Sequence, residues 1–229
     1  MKIEAALFGR SDGPELVTAE LAPPRAHEVR VRLAATGICH TDVKAMAPGG
    51  LVPHPVVLGH EGAGYVDALG AGVTSLSEGD AVVLSFAHCG ACPSCDDAAP
   101  AYCHHSAALN FGCEGAAPIA VEGAHVHGGF FGQSSFATYA NVDARHAIKL
   151  APDMPLARMA PLGCGVQTGA GAILNVLKPE AGARVVVFGA GSVGLSAVMA
   201  AALTPAQMII AVDRNAGRLE TAKEIGATH

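Results

Sequence analysis

Four cysteines lie close together near the middle of this 229-residue chain. Cys89, Cys92, Cys95 and Cys103 follow the spacing C-x2-C-x2-C-x7-C. Four thiolates this close in sequence can surround one metal ion, and closed all-cysteine ligand sets are typical of structural zinc. The spacing therefore predicts a structural zinc site that stabilises one lobe of the fold.

Two other uses of these cysteines fit the sequence less well. Disulfide frameworks are typical of short secreted chains, whereas this chain is 51% hydrophobic, has seven cysteines, and begins without the pattern of a signal peptide. The ferredoxin iron–sulfur motif has three residues before its last cysteine and a proline after it. Here the gap is seven residues, and Pro93 follows the second cysteine instead.

Composition excludes some classes of partner. The net charge is -6, there is no Trp, and aromatic residues make up 4% of the chain, so we expect no nucleic-acid partner. Residues 185–212 carry no charge, a length that could suggest a membrane span. Pro205 and two β-branched runs indicate buried parallel strands instead. We therefore expect a cytoplasmic protein with no membrane segment.

The sequence pattern changes along the chain. Up to about residue 150 it is mostly β, with period-two alternation from Glu28 onward and turn residues between strand candidates. After Pro161 it predicts a helix from Gln167, and then alternating strand, helix, strand and helix. The expected fold class is α/β, with a boundary near 150–180. We divide the chain into domains 1–165 and 166–229.

A glycine motif opens the first helix of the βαβα region. Gly189, Gly191 and Gly194 form G-x-G-x-x-G between a predicted strand and a predicted helix, which is the context that dinucleotide binding requires. Asp213 ends the next strand, 19 residues after Gly194. A carboxylate there favours NAD over NADP because it would repel a 2′-phosphate, although the adjacent Arg214 weakens this preference.

Three further cysteines, Cys39, Cys113 and Cys164, lie outside the cluster. His60 lies in a glycine-flanked Leu-Gly-His-Glu-Gly segment before a predicted strand. Taken alone, a histidine in such a place is more often structural than a metal ligand. Roles can be assigned to these scattered residues only by comparison with a family pattern.

The chain resembles the zinc-dependent alcohol dehydrogenases of the medium-chain dehydrogenase/reductase family. The matching segments occur in the family's order and cover essentially the whole chain. They are GICHTD from Gly37, GHEGAG from Gly59, GDAVV from Gly79, the four-cysteine cluster, GCGVQTGAG from Gly163 and the glycine motif. The runs FGQSSFATYA from Phe131 and GCGVQTG are most similar to the aryl (benzyl) alcohol dehydrogenases.

The resemblance implies a GroES-like catalytic domain, followed by the first half of a Rossmann domain, and two zinc ions. Cys39, His60 and Cys164 would hold the catalytic zinc, and the four-cysteine cluster would hold the structural zinc. Asp42 would orient the imidazole of His60, and Glu61 would lie behind the metal. Thr41 would begin a proton relay. The implied cofactor contacts are His40, Thr168, Gly189, Gly191, Val193, Gly194, Asp213 and Arg214. Cys113 has no family role and is expected to pack.

The implied reaction is reversible hydride transfer from a zinc-bound primary alcohol, aryl or benzyl, to NAD, giving the aldehyde. Aliphatic alcohols or a thiol adduct of formaldehyde are the alternatives. A different class, a non-catalytic zinc-binding scaffold, is disfavoured because it would need neither the scattered ligands nor Thr41. The partners expected are small-molecule alcohols and aldehydes, and copies of the same chain in a dimer or tetramer.

Two departures from the family pattern matter. Lys44 occupies the position of the family's relay histidine, and an ordinary lysine, with a pKa of about 10.4, is a poor proton acceptor at neutral pH. The sequence also stops after two strands of a sheet that usually has about six. We therefore expect a C-terminally truncated chain, and expect residues 1–229 alone to have little or no dehydrogenase activity.

Overall fold

A computed structural model describes residues 1–11, 13–47, 49–112 and 118–229. Within these ranges the chain divides into two compact units, Met1–Gly163 and Cys164–His229, called unit 1 and unit 2 below. Cys113 lies outside the described residues. In the described part of the chain, no helix combines the length and apolar composition of a membrane span.

Unit 1 is mostly β, as predicted. The strands that the structure describes in it are β1 (Lys2–Phe8), β2 (Glu15–Leu21), β3 (Glu28–Thr36), β4 (Val56–Val57), β5 (Gly62–Leu69), β6 (Ala81–Leu84), β7 (Ile119–Val121), β8 (Ala124–Val126), β9 (Tyr139–Asp143) and β10 (Ala147–Lys149). The alternation that begins at Glu28 gives the longest of these strands, β3, in which Val29 and Val31 are fully buried.

Two sheets organise the described residues of unit 1. One has the order β4-β1-β2-β7-β8 and the other has the order β10-β6-β5-β3-β9. Neighbouring strands in both sheets are antiparallel. Each sheet buries an aliphatic core of its own, which includes Leu7 and Val57 in the first and Val31 and Leu84 in the second.

Short helices connect these strands. The described α-helices of unit 1 are α1 (His40–Ala45), α2 (Pro93–Asp96), α3 (Ser106–Asn110) and α4 (Leu156–Met159). Single 3-10 turns occur at Pro100–Tyr102, Phe130–Gly132, Ala144–His146 and Ala160–Gly163. Helices of one or two turns are marginal by themselves, so packing against the sheets must stabilise them.

Unit 2, all of which is described, has the predicted βαβα order. Helix α5 (Gly165–Gly171) continues as a π-helical turn (Ala172–Leu177), and then come β11 (Arg184–Phe188), α6 (Ser192–Ala202), β12 (Met208–Val212) and α7 (Ala216–Glu224). Strands β11 and β12 pair in parallel. The uncharged stretch 185–212 therefore forms two strands and a helix, and the expected α/β fold class is confirmed.

The helix predicted from Gln167 differs from the observed one. It starts at Gly165 and changes to π geometry at Ala172, where the Lys178 N–H donates to the Ile173 carbonyl five residues back, at 2.8 Å. Lys178 then adopts a left-handed conformation, with φ of 45°, before Pro179. The chain therefore leaves the helix at the predicted place, because proline disfavours helical geometry in the residue before it.

Candidate metal and cofactor sites

Cys39 lies at the start of α1, where local hydrogen bonds fix its backbone. The Cys39 N–H donates to Asp42 Oδ2 at 2.8 Å, which closes a capping arrangement over the first turn. The Cys39 sulfur lies 3.7 Å from the Thr41 hydroxyl oxygen. Burial acts to raise the pKa of the Cys39 thiol, but the N–H and hydroxyl of Thr41, together with His60, outweigh burial and lower it.

Asp42 connects this helix to His60. Its side chain has no exposed surface, and Oδ1 lies 2.9 Å from His60 Nδ1 and accepts the Gly59 N–H at 3.1 Å. His60 is 2% exposed. Burial lowers the pKa of His60, but the hydrogen bond and negative charge of Asp42 outweigh burial and raise it. A carboxylate on Nδ1 favours the tautomer in which Nε2 has a free lone pair for a metal.

Glu61 brings a carboxylate to the same place. The ligand atoms of Cys39, His60 and Glu61 lie within 4.8 Å of one another, so they could share one metal ion. Glu61 is buried, and a Cβ at Gly37 would overlap its carboxylate. Gly37 therefore leaves the space that the Glu61 side chain occupies.

Two residues of this site, Phe131 and Gln133, could not be selected from the sequence. Phe131 stacks on the His60 ring with a centroid distance of 4.5 Å and an interplanar angle of 22°. Gln133 donates to the His60 carbonyl at 3.0 Å. Both lie in the FGQSSFATYA run, which served only to identify a branch of the family. Neither residue type ligates zinc, so a search for ligands could not select them.

The four-cysteine cluster forms a second group of possible ligands in unit 1. The sulfur atoms of Cys89, Cys92, Cys95 and Cys103 all lie within 4.8 Å of one another. The sulfur separations are 3.9 Å for Cys89–Cys95 and 3.5 Å for Cys92–Cys95. A tetrahedral site with Zn–S bonds of about 2.3 Å requires separations of about 3.8 Å. Both separations are close to this value, so the cluster is suited to hold a zinc ion.

Backbone N–H groups point at these sulfur atoms. The His104 N–H lies 3.5 Å from Cys92 Sγ and lowers the pKa of Cys92 to about 6. Burial, followed by the neighbouring Cys92, raises the pKa of Cys95 to about 11. Adjacent thiols cannot all ionise without a compensating cation, and the thiolate is the form that binds metal. The cluster is therefore suited to a divalent ion.

Cys164, the third scattered ligand that the resemblance implies, is the first residue of unit 2. Its chain neighbour Gly163 is buried in unit 1, where a Cβ would overlap the Leu84 carbonyl. In unit 2, the Thr168 hydroxyl donates to the Cys164 carbonyl at 2.8 Å. The Cys164 carbonyl is therefore held by the first turn of α5.

The glycine motif forms a tight turn between β11 and α6. Gly189 has φ of +92°, a conformation that strains other residues. A Cβ at Gly194 would overlap the Gly189 carbonyl oxygen, whereas nothing lies within 4 Å of the Cβ position of Gly191. The backbone is therefore open at Gly191, beside the N-terminus of an 11-residue helix, and such helix ends favour phosphate.

Asp213 follows β12 and faces the same turn. Its Oδ2 accepts the Ala190 N–H at 2.7 Å, and Oδ1 accepts the Asn215 N–H at 2.8 Å. The N–H groups of Asn215 and Ala190 lower the pKa of this carboxyl. Asp213 therefore connects the two strand ends, and its oxygens keep lone pairs for further donors.

The remaining implied cofactor residues have accessible side chains. Val193 lies in the first turn of α6, and Arg214 follows Asp213. His40 begins α1 in unit 1. All three are exposed, as is Thr168. Their side chains are thus available to a ligand.

We expect opposite effects from alanine at two glycines of unit 2. Gly194→Ala should lower the free energy of unfolding by about 1–3 kcal/mol, because the new methyl group overlaps the Gly189 carbonyl. Gly171→Ala, in a helix and with only ordinary contact to Asn175, should raise it by about 0.5–1 kcal/mol. Urea unfolding midpoints check both. Equal midpoints for the two variants would contradict the tight turn.

Comparisons with known proteins agree with this geometry. The family model described as "Alcohol dehydrogenase GroES-like domain" matches residues 25–153. Geraniol dehydrogenase of Castellaniella defragrans is 42% identical over 99% of the chain. Among solved structures, an alcohol dehydrogenase zinc-binding domain protein from Burkholderia ambifaria has a TM-score of 0.95 at 46% identity. The benzyl alcohol dehydrogenase of Acinetobacter calcoaceticus has a TM-score of 0.91 at 45% identity. Both alignments cover 100% of this chain.

The chain covers only part of these proteins. It spans 62% of the length of the geraniol dehydrogenase, and 63% of each of the two solved structures. The family model itself matches more than half of the chain. The order of motifs, the two groups of side chains that could hold a metal ion and these matches lead to one conclusion. The chain belongs to the zinc-dependent alcohol dehydrogenases of the medium-chain dehydrogenase/reductase family.

Proposed function

We propose that the protein containing this chain oxidises a primary alcohol to the aldehyde, reversibly, with NAD as hydride acceptor. The observation that carries the proposal is the Asp42–His60 pair, buried beside Cys39 and separate from the four-cysteine cluster. We assign Cys39, His60 and Cys164 as ligands of a catalytic zinc, called the open site. We assign the cluster to a structural zinc.

The donor set of the open site fits zinc. Two cysteines and one histidine are a known catalytic set that leaves one position for substrate. When bound, zinc acts as a Lewis acid that favours the ionised form of an alcohol near neutral pH. Asp42 holds a proton on His60 Nδ1 so that Nε2 is the ligand atom. Thr41 Oγ1, beside Cys39, would accept the alcohol proton while its own hydroxyl proton passes to the cofactor ribose. Glu61 places a further carboxylate next to these ligands.

Unit 2 would bind the cofactor. NAD supplies the hydride-accepting ring, and the chain positions it. In the proposal, the glycine turn and the start of α6 bind the pyrophosphate, with His40 as a further contact. Asp213 accepts a ribose hydroxyl and disfavours a 2′-phosphate, and Arg214 lies next to it. Val193 and Thr168 would contact the nicotinamide.

An aromatic wall beside His60 supports an unsaturated substrate. Phe111, Phe130 and Phe131 contact one another edge to face, with centroid distances between 4.9 and 6.3 Å. Phe130 is fully buried, so the half-buried Phe111 and Phe131 are the rings that could present a surface to a substrate, and such rings favour flat, π-bearing groups. Benzyl alcohol and geraniol, named for two of the relatives, both carry an unsaturated carbon next to the alcohol carbon. We therefore propose that the substrate is an aryl or similarly unsaturated primary alcohol. We also propose, from the resemblance to the family, that the enzyme is homo-oligomeric and cytoplasmic.

A panel of substrates tests this function. The whole protein that contains this chain should reduce NAD with benzyl alcohol, and kcat/KM should be lower for a saturated alcohol of similar size and for S-hydroxymethyl thiols. NADP should be the poorer cofactor. A preference for the thiol adduct would support the alternative substrate. No turnover with any alcohol would favour a non-catalytic scaffold.

Phe131→Leu tests the aromatic wall. The ratio of kcat/KM for benzyl alcohol to that for a saturated alcohol should fall about 2–10-fold, since one ring contact contributes about 0.5–1.5 kcal/mol. Phe136→Leu is the matched control, because Phe136 belongs to the same segment but its ring contacts Phe8. If both variants leave this ratio unchanged, the wall does not select the substrate.

A further inference from the structure

Gln133 is not proposed as a metal ligand, but its side chain makes three hydrogen bonds to backbone groups. Its side chain is buried, with 3% exposed. Oε1 accepts the Gly62 N–H at 3.0 Å, and Nε2 donates to the His60 carbonyl at 3.0 Å and to the Ser85 carbonyl at 3.4 Å. One amide therefore holds the backbone on both sides of Glu61.

The rest of its segment binds the same stretch of chain. The Ser134 hydroxyl donates to the Val57 carbonyl at 2.5 Å. The Ser135 N–H donates to the Gly59 carbonyl at 2.9 Å, and the Phe136 N–H donates to the Leu58 carbonyl at 2.9 Å. Phe131 adds the ring stacked on His60, and does so with φ of 52°, a costly conformation for a bulky residue. Residues 130–136 thus line the backbone that carries His60 and Glu61.

Two glycines permit this close approach. A Cβ at Gly59 would lie 2.5 Å from the Phe136 nitrogen, and one at Gly62 would lie 2.8 Å from the Ser135 Cβ and 3.1 Å from Gln133 Oε1. The two segments could not pack in this register with larger residues at either position. The amide of Gln133 can therefore reach both partners only because Gly62 has no side chain.

We propose that Gln133 is a positioning residue that controls how long the open site retains its metal. It sets the places of His60 and Glu61 relative to Cys39 by fixing the backbone on both sides of Glu61. Hydrogen-bonding partners of ligands typically alter metal affinity 10–100-fold when removed. The inference rests on the proposed function, since it requires a metal bound at the open site.

The test measures zinc release from the zinc-loaded 229-residue chain to a chromophoric chelator. His60→Ala identifies the phase that belongs to the open site. Gln133→Met, similar in shape but without the donor and acceptor, should release open-site zinc about 10–100-fold faster, with the cluster phase unchanged. Gln133→Glu keeps an oxygen for the Gly62 N–H but places an acceptor against the His60 and Ser85 carbonyls, and should also release open-site zinc faster than the wild type. If the Gln133→Met variant does not fold, the zinc release rate of the Gln133→Glu variant tests the inference instead.

Asn141→Leu is the matched control. Asn141 is also a buried amide in unit 1, with 7% exposed, and donates to the Ala22 carbonyl at 2.9 Å. This variant should release both zinc ions at wild-type rates. Wild-type release of open-site zinc from the Gln133 variants would overturn the inference, as would equal acceleration of both phases. A wild-type chain that binds only one zinc would overturn the proposed function as well.

Discussion

Cys103→Ser is expected to remove the structural zinc and unfold the lobe around the four cysteines. Cys103 is buried, and its sulfur accepts the Cys89 N–H at 3.3 Å. Replacing this sulfur therefore removes one metal ligand and the hydrogen bond from Cys89. Loss of a metal site is among the few single changes that cost more than about 4–5 kcal/mol. Because native domains are stable by only about 5–15 kcal/mol, much of unit 1 should lose its cooperative unfolding transition.

Zinc content, and urea unfolding followed by circular dichroism, measure this effect. Cys113→Ser is the control, because the resemblance gives Cys113 no ligand role. It should keep both zinc ions. A Cys103→Ser chain with an unchanged midpoint would show that the cluster does not stabilise the fold.

His60→Ala is expected to remove the other zinc and leave the fold largely intact. The variant should contain one zinc per chain, held by the four-cysteine cluster. Activity of the whole protein should fall about 10³-fold or more, because the Lewis acid contributes several kcal/mol to catalysis. Asp42 keeps its bonds from the Cys39 and Gly59 N–H groups, so it is not left unpaired.

His125→Ala is the control for this variant. His125 is exposed on β8 and contacts the His127 ring rather than the open site. It should keep two zinc ions and full activity. If His60→Ala retains two zinc ions, His60 is not a ligand and the assignment of the open site is wrong.

Much of the fold could be predicted from local patterns. The alternation from Glu28 predicts β3, and the apolar runs around the glycine motif predict β11, α6 and β12 in the order observed. These elements are predictable because burial of one face places apolar residues at regular intervals, and burial of a whole strand gives a continuous apolar run. The order of strands within the two sheets of unit 1 cannot be predicted from local patterns, because it depends on contacts between distant segments.

The candidate site, like the fold, could be predicted only in part. Its ligand types could be selected from the sequence, because few residues bind zinc and their spacing is distinctive. Gln133 could not be selected, because its role depends on an amide 73 residues away in the chain from the His60 carbonyl. Phe131 is similar, since an aromatic residue near a glycine is normally read as packing. The π-helical turn after Gly171 also has no clear signal in the sequence.

X-ray absorption of the zinc-loaded wild-type chain tests the central claim most directly, namely that it carries one closed and one open zinc site. A cluster with four sulfur ligands, and an open site with two sulfur and two nitrogen or oxygen ligands, should average about three sulfur atoms at about 2.3 Å per zinc, with about one lighter atom at about 2.0–2.1 Å. Zinc content should be two per chain. One zinc per chain with a pure four-sulfur shell would contradict the account.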